Sequence, residues 1–136
     1  MALIDATTQK GKHVLSRLQE EIVIWLATAG NRPQSVPVWF LWEGETFLVY
    51  SVPGPKTSQI EANPRVHLNF NSTRTGGDVV RFQARAEVVP DEPPADKNAD
   101  YVRKYADQIS SLGWTPEQFA SEYSVAVRIT PERLHA

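Results

Sequence analysis

The stretch IVIWLATAGNRPQSVPVWFLWEGETFLVY, Ile22–Tyr50, reads as three strands in succession. Ile22–Thr28 (IVIWLAT) is β-branched and apolar enough to be buried on both faces. Ala29–Pro33, with Gly30-Asn31, turns the chain. Gln34–Trp42 (QSVPVWFLW) is the second strand, Glu43-Gly44-Glu45 the second turn and Thr46–Tyr50 (TFLVY) the third strand. Short apolar runs separated by turn residues predict an antiparallel meander. Residues two apart on a strand share a face, so Val36, Val38 and Phe40 point one way and Ser35, Pro37, Trp39 and Leu41 the other.

Outward from this stretch the same periods continue. On the N-terminal side, Thr8–Gln19 places Val14, Leu15 and Leu18 at helical spacing. On the C-terminal side, Val66–Phe70 (VHLNF) is a fourth strand and Asn71–Gly77 a polar loop. Val79–Val89 (VVRFQARAEVV) alternates apolar and polar residues, the mark of a long strand with one wet face, where Arg81, Arg85 and Glu87 read as solvated. Ala95–Leu112 is read as a helix with Tyr101, Val102, Tyr105, Ile109 and Leu112 on one stripe and Gly113 as its C-terminal stop. Thr115-Pro116-Glu117-Gln118 is a capping box with Pro at the first helical position. Ser124–Thr130 (SVAVRIT) is the last strand. Six strands with few short helices predict a mainly β fold, a small antiparallel β-barrel with flanking helices.

Composition narrows the class. A chain of 136 residues is expected to form one domain, 1–136, with a real core. A net charge of −2 gives no electrostatic reason to bind nucleic acid. No apolar run approaches the roughly 20 residues that span a bilayer, and MALIDATTQKGKH has no signal-peptide core. The absence of cysteine excludes disulfides, iron–sulfur clusters and thiol nucleophiles, and fits a cytoplasmic enzyme. His13, His67 and His135 have no metal-ligand spacing, and no Ser-His-Asp, paired-carboxylate or GxGxxG pattern occurs. Most of the tryptophans, Trp25, Trp42 and Trp114 among them, read as packing residues.

One segment carries chemistry. In YSVPGPKTSQIEANP, Tyr50–Pro64, a strand ends at Ser51, a Pro-Gly-Pro turn follows, and Lys56-Thr57-Ser58 opens a short helix ending at Asn63-Pro64. A helix start carries unpaired N–H groups and the positive end of the helix dipole. A lysine and two hydroxyls beside them make a site suited to phosphate.

TAGNRPQSVPVWFLWEGETFLVYS, then PGPKTSQIEANPRVHLNF, then VVRFQARAEVV together resemble the split β-barrel of the pyridoxamine-phosphate-oxidase-like flavin and deazaflavin reductases. The resemblance spans Glu21 to Val89 and, more loosely, Ser124 to Arg133. It implies a homodimer with two cofactor sites at the interface, holding FMN or the deazaflavin coenzyme F420. It places Val36, Pro37, Val38 and Trp39 along the cofactor ring and Lys56, Thr57 and Ser58 at the cofactor's phosphate, with Tyr50 and Ser51 also cofactor-binding. Many FMN-using relatives carry Arg-Lys where this chain has Pro55-Lys56, and often a basic residue where it has Ser58. That deficit of cations favours the longer F420 over FMN. The implied activity is hydride transfer from reduced F420 to a conjugated small molecule. The alternatives are an FMN-binding oxidoreductase and a non-catalytic flavin- or tetrapyrrole-binding protein. No catalytic side chain is assigned, since the cofactor would carry the hydride chemistry.

Overall fold

The computed structural model describes residues 2–136. Seven strands form one antiparallel sheet: β1 (Ile24–Thr28), β2 (Gln34–Val38), β3 (Leu41–Glu43), β4 (Thr46–Ser51), β5 (Arg65–Asn69), β6 (Arg81–Val88) and β7 (Val125–His135). Their order across the sheet is β2-β1-β5-β6-β7-β4-β3. Four helices flank it: α1 (Gln9–Glu20), α2 (Pro55–Ala62), α3 (Ala99–Ser111) and α4 (Pro116–Glu122).

The order of strands forces closure. β2 and β3 are the two outermost strands, yet only Trp39 and Phe40 separate them. Laid flat, the edges would stand six strand spacings apart, about 29 Å. Three Cα steps, Val38 to Leu41, reach about 11 Å at most. The sheet must therefore curl until its ends approach, which makes the half-open barrel expected from the sequence. The Gln34–Trp42 strand is thus two strands: Gln34–Val38 pairs with β1 and Leu41–Glu43 pairs with β4. The expected meander keeps its pairings but breaks at its centre.

Both sides of this break are buried. Phe40, with Phe47, Phe82, Leu26 and Leu68, fills the barrel interior. Each such side chain, fully withdrawn from water, stabilises the fold by about 1.5–3 kcal/mol. Leu41, Leu48 and Tyr50 face outward under α3 and α4, against Tyr101, Tyr105, Ile109 and Phe119. This second layer explains why β4 is buried at every position from Phe47 to Tyr50.

One side chain holds the crossover. The Phe40 N–H donates to the Tyr105 hydroxyl at 2.8 Å, and that hydroxyl faces the carbonyls of Ile22 at 2.7 Å and Phe40 at 3.0 Å. Its single proton serves one carbonyl at a time. Lys104 adds a second tie: its Nζ donates to the Phe40 carbonyl at 2.7 Å and lies 3.7 Å above the Phe40 ring centre.

Several sequence readings are corrected. Ile22–Thr28 is buried on one face only: the strand begins at Ile24, Trp25 and Ala27 are half-buried, and Ile22 is exposed. The long helix breaks at Asn98, whose side chain caps α3 by accepting from the Tyr101 N–H at 3.1 Å. The last strand runs past Pro131 to His135, with a register shift opposite Gln83 and Ala84. A bulge tolerates the missing proline donor there. The alternating strand begins at Arg81 instead of Val79. The Thr115–Gln118 capping box forms as read, and Gly113 takes the positive φ of +78° that ends α3.

Two outcomes are expected. Tyr105→Phe leaves the Phe40 N–H without its partner and lowers stability by about 2 kcal/mol in urea unfolding, with an unchanged m-value. Stability also follows pH. Burial lowers Lys104 to about 8 from an ordinary 10.5, against the opposing pull of Glu21, and lowers Lys56 as well. Between these values the unfolded chain binds more protons, so stability rises as pH passes from about 8 towards 10. Burial raises Tyr50 to about 12 and raises Tyr101 and Tyr105 further, so the stability they contribute is lost at higher pH. Urea midpoints measured from pH 7 to 11 rise and then fall, and Lys104→Met flattens the rise.

Candidate functional site

Where the two ends of the sheet converge lies a cleft of about 600 Å³. That is within the range of small-ligand and cofactor sites, roughly 300–1,000 Å³. One wall is β2, with Val36, Pro37 and Val38, followed by Trp39. The opposite wall is the end of β4, with Tyr50 and Ser51, running into Val52–Lys56 at the start of α2. Tyr101, Leu112, Phe119 and Tyr123, from α3, α4 and the residues that follow them, complete it.

The sequence folds locally to produce this shape. Pro37 lies on an edge strand, where a missing N–H costs no second ladder. Pro53, Gly54 and Pro55 end β4 and start α2, with Gly54 as the cap residue and Pro55 at the first helical position. Pro55 has no N–H to leave unpaired, and the N–H groups of Lys56 and Thr57 have no partner within the helix. α2 is moored to β1 by the Thr28 hydroxyl, which donates to Gln59 Oε1 at 2.7 Å.

The structure brings Val36, Pro37, Val38, Trp39, Tyr50, Ser51 and Lys56 to one cleft, and leaves Thr57 and Ser58 out of its lining. Thr57 is buried, and its hydroxyl donates to the Gly54 carbonyl at 2.8 Å. Ser58 is exposed and turns its hydroxyl to the same carbonyl at 3.4 Å. Both hydroxyls therefore serve the first turn of the helix. The Ser51 hydroxyl is likewise used locally, donating to the Val52 carbonyl at 3.1 Å.

Lys56 is the only formally charged residue lining the cleft, and it has no ion-pair partner among the described residues. Its partial burial lowers its pKa, because the ammonium has lost water without gaining a carboxylate. The cleft thus carries positive potential at one end. The other end is aromatic. Trp39 is sandwiched between Tyr105, 4.6 Å away at 6°, and Phe119, 5.4 Å away at 10°. Tyr123 stacks beyond Phe119 at 4.5 Å. Both faces of the Trp39 ring are covered, so the residue offers the cleft an edge and a rigid wall.

Sequence reasoning missed the helical wall. The helical spacing puts Tyr101 and Leu112 on one apolar stripe, but Leu112 is 52% exposed at the rim while Tyr101 is fully buried. The aromatic residue Phe119 and the half-buried Tyr123 carry no motif; only packing reveals them.

Residues 11–136 match the family described as pyridoxamine 5′-phosphate oxidase. The chain belongs to that family. Its fold is shared by an F420 reductase at 20% identity and a TM-score of 0.64, over 88% of this chain and 94% of that one. An FAD-binding protein from Mesorhizobium loti matches at 22% identity and 0.64, over 90% and 88%. The haem-storage protein HutZ from Vibrio cholerae matches at 18% identity and 0.65, over 95% of both chains. At these identities the likeness establishes the fold alone, the split barrel of this family. No curated protein matches the chain by sequence.

The unpaired Lys56 has a stability consequence of its own. Lys56→Met keeps the aliphatic stem and removes the desolvated charge. It is expected to raise the urea midpoint of the ligand-free protein at pH 7, and a fall instead would show that Lys56 has a stabilising partner.

Proposed function

We propose that this chain is a deazaflavin-dependent reductase, transferring a hydride from reduced coenzyme F420 to a conjugated small molecule such as an enone, quinone or lactone. The observation that carries this reading is the cleft's division into a single-cation end at Lys56 and an aromatic, carboxylate-free end between β2 and α4. A phosphate-linked, anionic tail fits the first and a flat conjugated ring the second. An open turn of Val52, Pro53 and Gly54 beside Lys56 suits a long tail better than the compact cationic pocket that FMN phosphate favours. The F420 reductase of the same fold supports the choice.

The bound coenzyme would supply the hydride. The chain's own residues bind, orient and exclude water. Lys56 and the adjacent helix N–H groups attract the anionic group, with the dipole of α2 adding to the field. Val36, Pro37 and Val38 present an apolar edge against the ring. Tyr50 stays neutral, its hydroxyl donating to the Pro93 carbonyl at 2.8 Å. We further propose a cytoplasmic homodimer, in which Arg65, Arg74 or Arg81 of the second copy would add the positive charge that one cleft lacks.

An FMN-binding oxidoreductase is the second reading, favoured by the FAD-binding protein of the same fold. A haem-binding role finds no histidine in the cleft, since none of His13, His67 and His135 lines it.

Titration of the purified protein with F420 and with FMN at equal ionic strength decides between the two. F420 is expected to bind tighter; FMN binding tenfold tighter, about 1.4 kcal/mol, overturns the deazaflavin assignment. Lys56→Ala is expected to weaken F420 binding by roughly 1.5–3 kcal/mol, less at high salt. Turnover with reduced F420 separates an enzyme from a carrier, and a light-scattering mass of one chain at micromolar concentration refutes the dimer.

A further inference from the structure

We propose that the Tyr101 hydroxyl is the hydrogen-bond donor with which the cleft recognises a carbonyl oxygen on the flat ring of its ligand. The proposal rests on the functional reading above for the identity of the ring, and on four observations for the role of the residue.

Tyr101 is fully buried, 0% exposed, yet it belongs to the lining of the cleft. Its hydroxyl has no hydrogen-bond partner in the chain. Among the described side chains only His135 Nε2 shares that condition, and His135 lies away from the cleft, on β7 opposite Arg81. The other two buried tyrosines of the same layer are satisfied: Tyr50 by the Pro93 carbonyl and Tyr105 at the crossover. An unsatisfied buried hydroxyl is a cost to folding, and such groups are few in folded proteins. Phenylalanine at this position would keep the ring contacts without the cost.

The geometry fixes the ring and leaves the hydroxyl as the variable part. Tyr101 is held edge-on by Tyr50 at 4.9 Å and tilted against Tyr105 at 4.9 Å and Phe119 at 6.0 Å. Its α3 backbone is anchored next to the Asn98 cap. A phenol in this apolar layer stays protonated, because burial and the neighbouring tyrosines oppose the phenolate. It therefore offers a proton to an acceptor. A carbonyl oxygen is the matching group on an uncharged conjugated ring; the anionic end of the ligand is held elsewhere, at Lys56. The hydroxyl is closed off from water, so a ligand edge reaches it with a shift of the Tyr50 or Phe119 ring, both of which line the same cleft. A site built around a buried donor also discriminates strongly against a ligand that lacks the acceptor.

The test is Tyr101→Phe, which removes one oxygen. Binding of F420 and FMN is measured by fluorescence titration, the carbonyl stretching band of the bound ring by infrared difference spectroscopy, and stability by urea unfolding. The expected result is roughly tenfold weaker binding of the preferred cofactor, a carbonyl band moved to higher frequency, and unchanged or greater stability without ligand. Wild-type and variant proteins that bind alike with the same band position overturn the proposal and leave the proposed function standing. A wild-type protein that binds neither cofactor overturns both. A variant that loses stability before any ligand is added, with the band of its bound ring unmoved, assigns the hydroxyl a structural role and also overturns the proposal.

Discussion

The fold depends on how two residues, Trp39 and Phe40, carry the chain from one end of the sheet to the other. A seven-stranded sheet whose first and last strands are neighbours in sequence has to curl, and the curl has to be held where the ladder is missing. Backbone groups released from a ladder in an apolar layer need partners. The Tyr105 hydroxyl and the Lys104 ammonium supply them at Phe40, from a helix 65 residues further along the chain. The crossover therefore ties the barrel interior to the helical layer: Phe40 points into the first, Trp39 and Leu41 into the second.

The same closure makes the cleft. Strands β2 and β4 are far apart in the sheet order and come together only because the ends converge. Their meeting leaves a gap between the edge of β2 and the last residues of β4. α3 and α4 roof this gap with aromatic rings because Trp39, at the crossover, needs both faces covered. The start of α2 falls at its other end because β4 stops at a Pro-Gly-Pro turn. Site and scaffold thus share one set of residues, and Tyr105 supports the wall of the cleft through Trp39 as well as the crossover through Phe40.

Features written in local sequence were legible. The capping box at Thr115, the stop at Gly113, the alternation of β6 and the lysine-led turn after β4 each depend on a few adjacent residues. Features that depend on a distant partner were not. Nothing in QSVPVWFLW marks a break, because its composition suits two half-strands as well as one continuous strand; the break is imposed by Tyr105 and the sheet order. The last strand runs beyond Thr130 because the bulge opposite Gln83 and Ala84 accommodates Pro131. Thr57 and Ser58 have the chemistry of a phosphate site, but the carbonyl of Gly54 is closer to them than the cleft is. Tyr101 looked like one more core residue on a helical stripe, since a sequence does not show whether a buried hydroxyl finds a partner.

What remains after folding is satisfied points back to the cleft. Most buried polar groups here have conventional partners: Thr28 has Gln59, Tyr50 has Pro93, and Arg128 is gathered by Glu43, Thr46 and Glu92. Two groups at the cleft do not. Lys56 is partly desolvated without a carboxylate, and Tyr101 is buried without an acceptor. Each is a small loss to the folded chain that an apolar residue of similar shape would avoid. Both line one cavity and differ in chemistry, one a cation and one a neutral donor. A ligand with an anionic group and a ring carbonyl would satisfy both at once, whereas a phosphate alone or an apolar ring alone would satisfy at most one. The two unmet groups together therefore constrain the ligand more tightly than the volume of the cleft does, and they do so independently of any likeness to other proteins.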